Sequence, residues 1–279
     1  MKTVFFGATG QQVSFVGLGG EGVLRTVGRE AEARAVIREA LAQGITYFDS
    51  ARVYADSERY YGSIWRQAPD LRQSIFQTSK SAARHRDGAW ADLHLTLERL
   101  GTDYLDLWQI HDVRTEQDLA AIAGPGGALE AFVRAREEGL VRSIGVTGHD
   151  NPFVLARAVA EWPVDAVLMP VNPVEGVLGG FLTLVREAAL QKGIAIIGMK
   201  VLGASQYILP RLEITPELLV RYALACAVTL PIVGCSSAAE VRSLAAAAEK
   251  PPLSAGEKQL LEDRIRPFAS RLAFYRGIY

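Results

Sequence analysis

Three ionisable residues recur at one interval. Asp49 stands in "YFDS", Lys80 closes "QTSK" and His111 closes "WQIH", with 31 residues from each to the next. A strand, its helix and the return take ~30 or more residues, so the three occupy equivalent ends of adjacent strands, and a barrel would gather them on one rim. Tyr54 follows Asp49 by five positions. Taken singly, each has an ordinary role: a capping aspartate, a half-buried tyrosine bonded to water, a solvated lysine and a structural histidine. Taken together they describe a proton-transfer site. A lysine held beside an aspartate and a tyrosine keeps its charge, and that charge lowers the tyrosine pKa toward a useful value. Asp49 would hold the lysine, and His111 would hydrogen-bond a carbonyl oxygen and orient it for reduction.

Positioning these residues requires alternating strands and helices. Strand-like runs fall at Phe15–Leu18, Thr46–Asp49, Ser74–Thr78, Tyr104–Ile110, Ser143–Val146, Ala166–Met169, Ile194–Met199 and Pro231–Val233. Helix-period segments separate them, and Asn151 before Pro152 and Thr215 before Pro216 read as N-caps ahead of a first-turn proline. Such βα alternation predicts an α/β (β/α)8 TIM barrel with its reacting groups at the C-terminal strand ends. Residues 1–12 read as an N-terminal β-hairpin, and "SAGE" at 254–257 as a capping box opening an extra C-terminal helix and tail, 254–279. With no linker or charge block, 1–279 is read as a single domain.

One motif points elsewhere. "FVGLGGEG" spells G-x-G-x-x-G through Gly17, Gly19 and Gly22, the pattern of a dinucleotide-binding strand-turn-helix. That fold wants an acidic residue ~20 positions on, whereas Asp49 lies 27 past Gly22 and the next helix begins only near Glu30. The motif is read as a false fingerprint, with Gly19 and Gly20 still placed to let a nicotinamide approach the backbone.

Lys plus Arg total 30 against 31 Asp plus Glu, a net charge of −1, which argues against nucleic acid or anionic membrane as partners. Cys226 and Cys235 sit among apolar neighbours and read as reduced core thiols. His85, His94 and His149 lack metal-ligand spacing. Gly7, Gly10, Gln11 and Gln12 interrupt the first apolar patch before a secretory segment is complete, and no window is apolar enough to span a bilayer. The expected setting is cytoplasmic and soluble.

"GITYFDSARVYADSERYYG", "IFQTSK", "LGTDYLDLWQIH" and "IGVTGH" resemble, in order and spacing, the hallmark segments of the aldo-keto reductases. The resemblance implies hydride transfer between a nicotinamide cofactor, NADP with NAD as the alternative, and an aldehyde, ketone or sugar. It implies Tyr54 as general acid in reduction and base in oxidation, Lys80 and Asp49 tuning it, and His111 positioning the carbonyl, with no metal. Thr147 matches the family's carboxamide contact, followed by Gly148 and by His149 where an Asn is common. Asn172 is kept, but Leu168 stands where a carboxamide-binding Gln is usual. Met199 takes the place of a stacking aromatic, and Lys200, Leu202 and Gly203 would line the pyrophosphate. Gly234, Cys235, Ser236 and Ser237 would hold a phosphate at a helix N-terminus. Glu240 stands where NADP-dependent relatives carry a basic residue; it would repel a 2′-phosphate, and Arg242 could compensate.

Two other functions fit parts of the pattern. Lys80 could form a Schiff base in a lyase, although Asp49 should keep it charged, and a nicotinamide-binding barrel could serve as a redox sensor. Substrate choice would rest on the loops 24–29, 113–127, 204–212 and the tail 266–279, with Trp65, Tyr207, Phe274 and Tyr275 as apolar walls.

Overall fold

A computed structural model describes residues 1–277; Ile278 and Tyr279, which end the expected tail, lie outside the described residues. Strands β1 (Thr3–Phe5) and β2 (Gln12–Ser14) pair antiparallel as the N-terminal hairpin. The next strands are β3 (Gly17–Gly22), β4 (Tyr47–Phe48), β5 (Phe76–Ser81), β6 (Leu105–Ile110), β7 (Val141–Thr147), β8 (Ala166–Pro170), β9 (Ala195–Met199) and β10 (Leu230–Cys235). All pair parallel with their neighbours in sequence, and β10 pairs with β3 to close the barrel. Helices run between them, and the expected extra helix forms at Ala255–Ile265 behind the Ser254–Glu257 capping box. Asn151 and Thr215 accept amide protons of their helices through their side chains, as their sequence contexts imply.

Two strands lie later than the apolar runs suggest, each for a local reason. β3 extends through the glycines because β10 crowds it: a Cβ on Gly19 would lie 2.9 Å from the Gly234 amide nitrogen. β5 extends through Ser79 to Ser81 because its polar residues find partners on both faces. Gln77 and Ser79 face the helices, where Gln77 Oε1 accepts from Trp65 Nε1 at 2.9 Å and Ser79 Oγ donates to Glu58 at 2.8 Å. Thr78 and Lys80 alternate to the inside and bond Asp49. A buried polar strand is stable only when so satisfied.

The hairpin plugs the N-terminal end of the barrel. Phe6 and Val13 pack with Tyr47, Phe76, Leu107 and Ile232 in an apolar floor. The barrel therefore opens only at the end where strands β4, β5 and β6 deliver Asp49, Lys80 and His111. No helix among the described residues is long and apolar enough to cross a membrane.

Candidate active site

Asp49 is the residue after β4, held by its amide to the Leu18 carbonyl at 2.9 Å. Lys80 reaches across from β5, and its Nζ donates to both Asp49 carboxylate oxygens at 2.7 Å and to the Ser50 carbonyl at 2.8 Å. Thr78 Oγ1 adds a bond to Asp49 at 3.0 Å. With 1% and 2% of their surfaces exposed, Lys80 and Asp49 form a desolvated pair in which all three ammonium protons are used. Burial pulls the Lys80 pKa down, and the Asp49 carboxylate opposes that pull.

Tyr54 sits on this pair. Its ring centroid is 4.8 Å from Lys80 Nζ, and the ring packs on the bare backbone of Gly20, where a Cβ would come within 2.6 Å of Cδ2. The His111 ring meets it edge-on at 5.7 Å. Burial pushes the Tyr54 hydroxyl above its ordinary range; Asp49 and Glu21 add to the shift, and the Arg25 guanidinium opposes it. This direction is opposite to the one the residue types suggest, because the charge of Lys80 is neutralised by Asp49 and desolvation dominates. The tyrosine therefore holds its proton.

His111 follows β6, with its amide bonded to the Ser81 carbonyl. Burial, reinforced by Lys80, lowers its pKa to about 3, so the imidazole is neutral. Its Nδ1 is buried and has no partner among the described residues, which leaves Nε2 as the nitrogen able to meet a ligand. Four residues from three strand ends are thus gathered on one rim, as their spacing implies.

The remaining candidates lie around the same rim with differing freedom. Thr147 Oγ1 accepts from the Asp112 amide at 2.8 Å, so its own proton is still available to give. Asn172 is fully engaged: Nδ2 donates to the Lys200 carbonyl and the Tyr275 hydroxyl, and Oδ1 caps Glu175. Gly148 needs its bare Cα, since a Cβ would be 2.8 Å from the Val113 carbonyl oxygen. Met199 ends β9 partly exposed; Lys200, Leu202 and Gly203 follow in a turn, with Lys200 and Gly203 at positive φ. Gly234 lies against Glu21, and Cys235 is buried, its thiol pushed up to about 12 by desolvation. Both cysteines are unpaired and buried. Ser237 caps helix Ala238–Glu249, whose free N-terminus is already occupied: Glu240 accepts from the Ser236 amide at 2.8 Å. Arg242 does not reach back to compensate, because it pairs with Glu39 at 3.2 Å. A Cβ on Gly19 would meet β10 and one on Gly20 the Tyr54 ring, so both positions need a bare Cα. Among the described residues, no group of three or more His, Cys, Asp or Glu is placed to hold a metal ion.

Some neighbours of the site escape sequence reading. Glu58, 1% exposed, accepts from Arg52, Ser79 and Thr96, and Arg52 sends its amide to the Lys80 carbonyl, tying the Tyr54 loop to β5. Neither Glu58 nor Arg52 has a periodic spacing to reveal it. Of the residues the sequence does single out, His149 Nε2 lies 3.3 Å from Asp112, and Tyr275 of the tail bonds Asn172 and Glu175. Arg25 carries a signal, since it lies in the 24–29 loop to which substrate choice is assigned, whereas Glu21 lies within β3.

A sequence model of the Aldo/keto reductase family matches residues 16–207. An aldo-keto reductase of Mycobacterium sp. (strain KMS) is 34% identical over 143 residues, 50% of this chain and 48% of that protein. L-galactose dehydrogenase of Arabidopsis thaliana is 31% identical over 153 residues, 51% and 47% of the two chains. The chain spans about half the length of these curated relatives. A Bacillus halodurans aldo-keto reductase solved in its holo form superposes with a TM-score of 0.79 over 95% of this chain and 96% of that one; at 23% identity this likeness concerns the fold.

Proposed function

The chain belongs to the aldo/keto reductase family, and from that premise we propose that it moves hydride between a nicotinamide dinucleotide and an aldehyde, ketone or sugar carbonyl, with Tyr54 as proton carrier. The observation that carries this reading is the closed Lys80–Asp49 pair beneath Tyr54, with a neutral His111 edge-on to the same ring. When bound, the nicotinamide supplies the hydride. Tyr54 protonates the carbonyl oxygen as it gains charge in reduction and accepts that proton in oxidation. Its raised pKa keeps the proton on the hydroxyl until the carbonyl oxygen gains charge. His111 donates through Nε2 to the same oxygen and orients the carbonyl. Lys80 and Asp49 fix the floor on which Tyr54 rests. Lys80 is unsuited to Schiff-base chemistry, since all three of its protons are engaged and it is closed to solvent.

The rim fits the cofactor's chemistry in part. Lys200 Nζ has no hydrogen bond or ion pair to a described residue, only the Tyr275 ring at 5.8 Å, and so is a cation available to a pyrophosphate. Thr147 has a proton to give a carboxamide, and the Met199 thioether can pack on a ring. Asn172, with its amide committed, acts as a scaffold. Glu240 at the helix N-terminus and Arg242 turned to Glu39 favour NAD over the NADP that the family resemblance puts first. The test is a nicotinamide absorbance assay with both cofactors across aldehydes, ketones and aldoses. Turnover supports the reading; no turnover with any of them would sink it.

A further inference from the structure

One cation at the barrel mouth is only partly used. Arg25 ends the short helical turn Val23–Arg25 that continues β3, and its guanidinium carbon lies 4.9 Å from the centroid of the Tyr54 ring. The turn is held firmly. Val23 and Leu24 are buried, Thr26 Oγ1 donates to the Val23 carbonyl, and the Thr26 carbonyl accepts from Tyr60 Oη and from the Asp56 amide. Asp56 is two residues past Tyr54, so the loops bearing Arg25 and Tyr54 are tied to each other.

Among the described residues the guanidinium makes one hydrogen bond, from Nη1 to Glu21 Oε1 at 2.6 Å, and both side chains are about half exposed. Its Nε–Nη2 edge has no partner among the described residues. That edge offers two parallel N–H donors, the geometry that takes a carboxylate side-on. The other basic groups touching Tyr54 are closed to a ligand's charge: Lys80 is spent on Asp49, and His111 is neutral. The counter-ion Glu21 can swing away at small cost, because an exposed pair of this kind contributes little.

We infer that Arg25 anchors a carboxylate on the carbonyl compound that reacts at Tyr54, making anionic aldehydes or keto acids the preferred substrates. The inference rests on the hydride-transfer reading above and names the substrate class of the same site. Glu21 serves as the resting partner of the guanidinium and is displaced when the substrate arrives.

The experiment compares para-formylbenzoate with para-formylbenzamide, which differ in charge but hardly in shape. The wild-type protein should have the higher kcat/KM for the benzoate, and Arg25→Gln should lower the benzoate-to-benzamide ratio at least about tenfold, the worth of a charge-assisted hydrogen bond. Glu21→Gln should raise the ratio. Because the ratio is read, any general effect of Arg25 on Tyr54 cancels. Calorimetric titration with para-hydroxymethylbenzoate, which needs no turnover, should show the same weakening in Arg25→Gln. A ratio unchanged by Arg25→Gln, or a wild-type preference for the amide, overturns the anchor. Absence of turnover with both aldehydes overturns the hydride-transfer reading instead.

Discussion

Replacing Lys80 by Met should be among the most destabilising single changes in the protein. The ammonium gives its three protons to Asp49 Oδ1, Asp49 Oδ2 and the Ser50 carbonyl, at 2.7, 2.7 and 2.8 Å, in a site closed to water. Without it, Asp49 keeps only Thr78 Oγ1 at 3.0 Å among the side-chain donors of the described residues and is left as a buried charge. Removing one partner of such a pair costs about 3–5 kcal/mol, against a total stability of about 5–15 kcal/mol for a typical domain. Replacing both, as Asp49→Asn with Lys80→Met, removes both charges at nearly constant shape. The double variant should therefore be more stable than Lys80→Met alone. Urea denaturation of the wild type, both single variants and the double measures the coupling, with unfolding midpoints compared at a common slope. Costs that simply add, or a Lys80→Met variant within about 1 kcal/mol of wild type, would refute a tightly coupled buried pair.

Three further outcomes follow from the site. Gly20→Ala places a Cβ 2.6 Å from the Tyr54 ring and should cut kcat/KM about 10- to 100-fold through displacement of the hydroxyl; Gly256→Ala, with nothing within 4 Å, is the control. His111 has a folded pKa of about 3 against an ordinary 6.5, so the unfolded chain binds the extra proton first. Its contribution to stability is intact above 6.5 and is lost as pH falls toward 3, at up to about 1.4 kcal/mol per pH unit. Denaturation midpoints across that window should fall less steeply in His111→Asn. Fluorescence titration should show NADH binding more tightly than NADPH, and Glu240→Gln should narrow the gap about fivefold, the effect of one carboxylate at water-like dielectric.

Much of the fold is legible in the sequence because parallel strands and their helices leave periodic marks. The runs ending at Asp49 and His111, and the caps at Asn151, Thr215 and Ser254, sit where their patterns place them. The end of β5 is less legible, since Ser79 and Ser81 look like loop residues until Glu58 and Asp92 supply their partners. The glycines of β3 spell a nucleotide fingerprint because composition cannot tell a tight turn from a strand pressed against another backbone; the distance to Asp49 and the late helix at Glu30 are what mark it as false. Asp49, Lys80 and His111 are visible through equal intervals between strand ends, and Tyr54 through its place five positions past Asp49. The sign of the Tyr54 shift is not, because it depends on whether Lys80's charge is already spent, which only the geometry of the Asp49 bonds decides. Arg242 likewise looks free in sequence and is committed to Glu39 in space.

The most direct test of the central claim is Tyr54→Phe, which removes one oxygen and leaves the ring on Gly20 and Lys80. Cofactor affinity is measured by fluorescence titration and turnover by nicotinamide absorbance in the same preparation. The account predicts that affinity stays within about twofold of wild type while kcat falls at least about a hundredfold, the scale of a positioned proton donor. Turnover retained in Tyr54→Phe at the wild-type rate would contradict it.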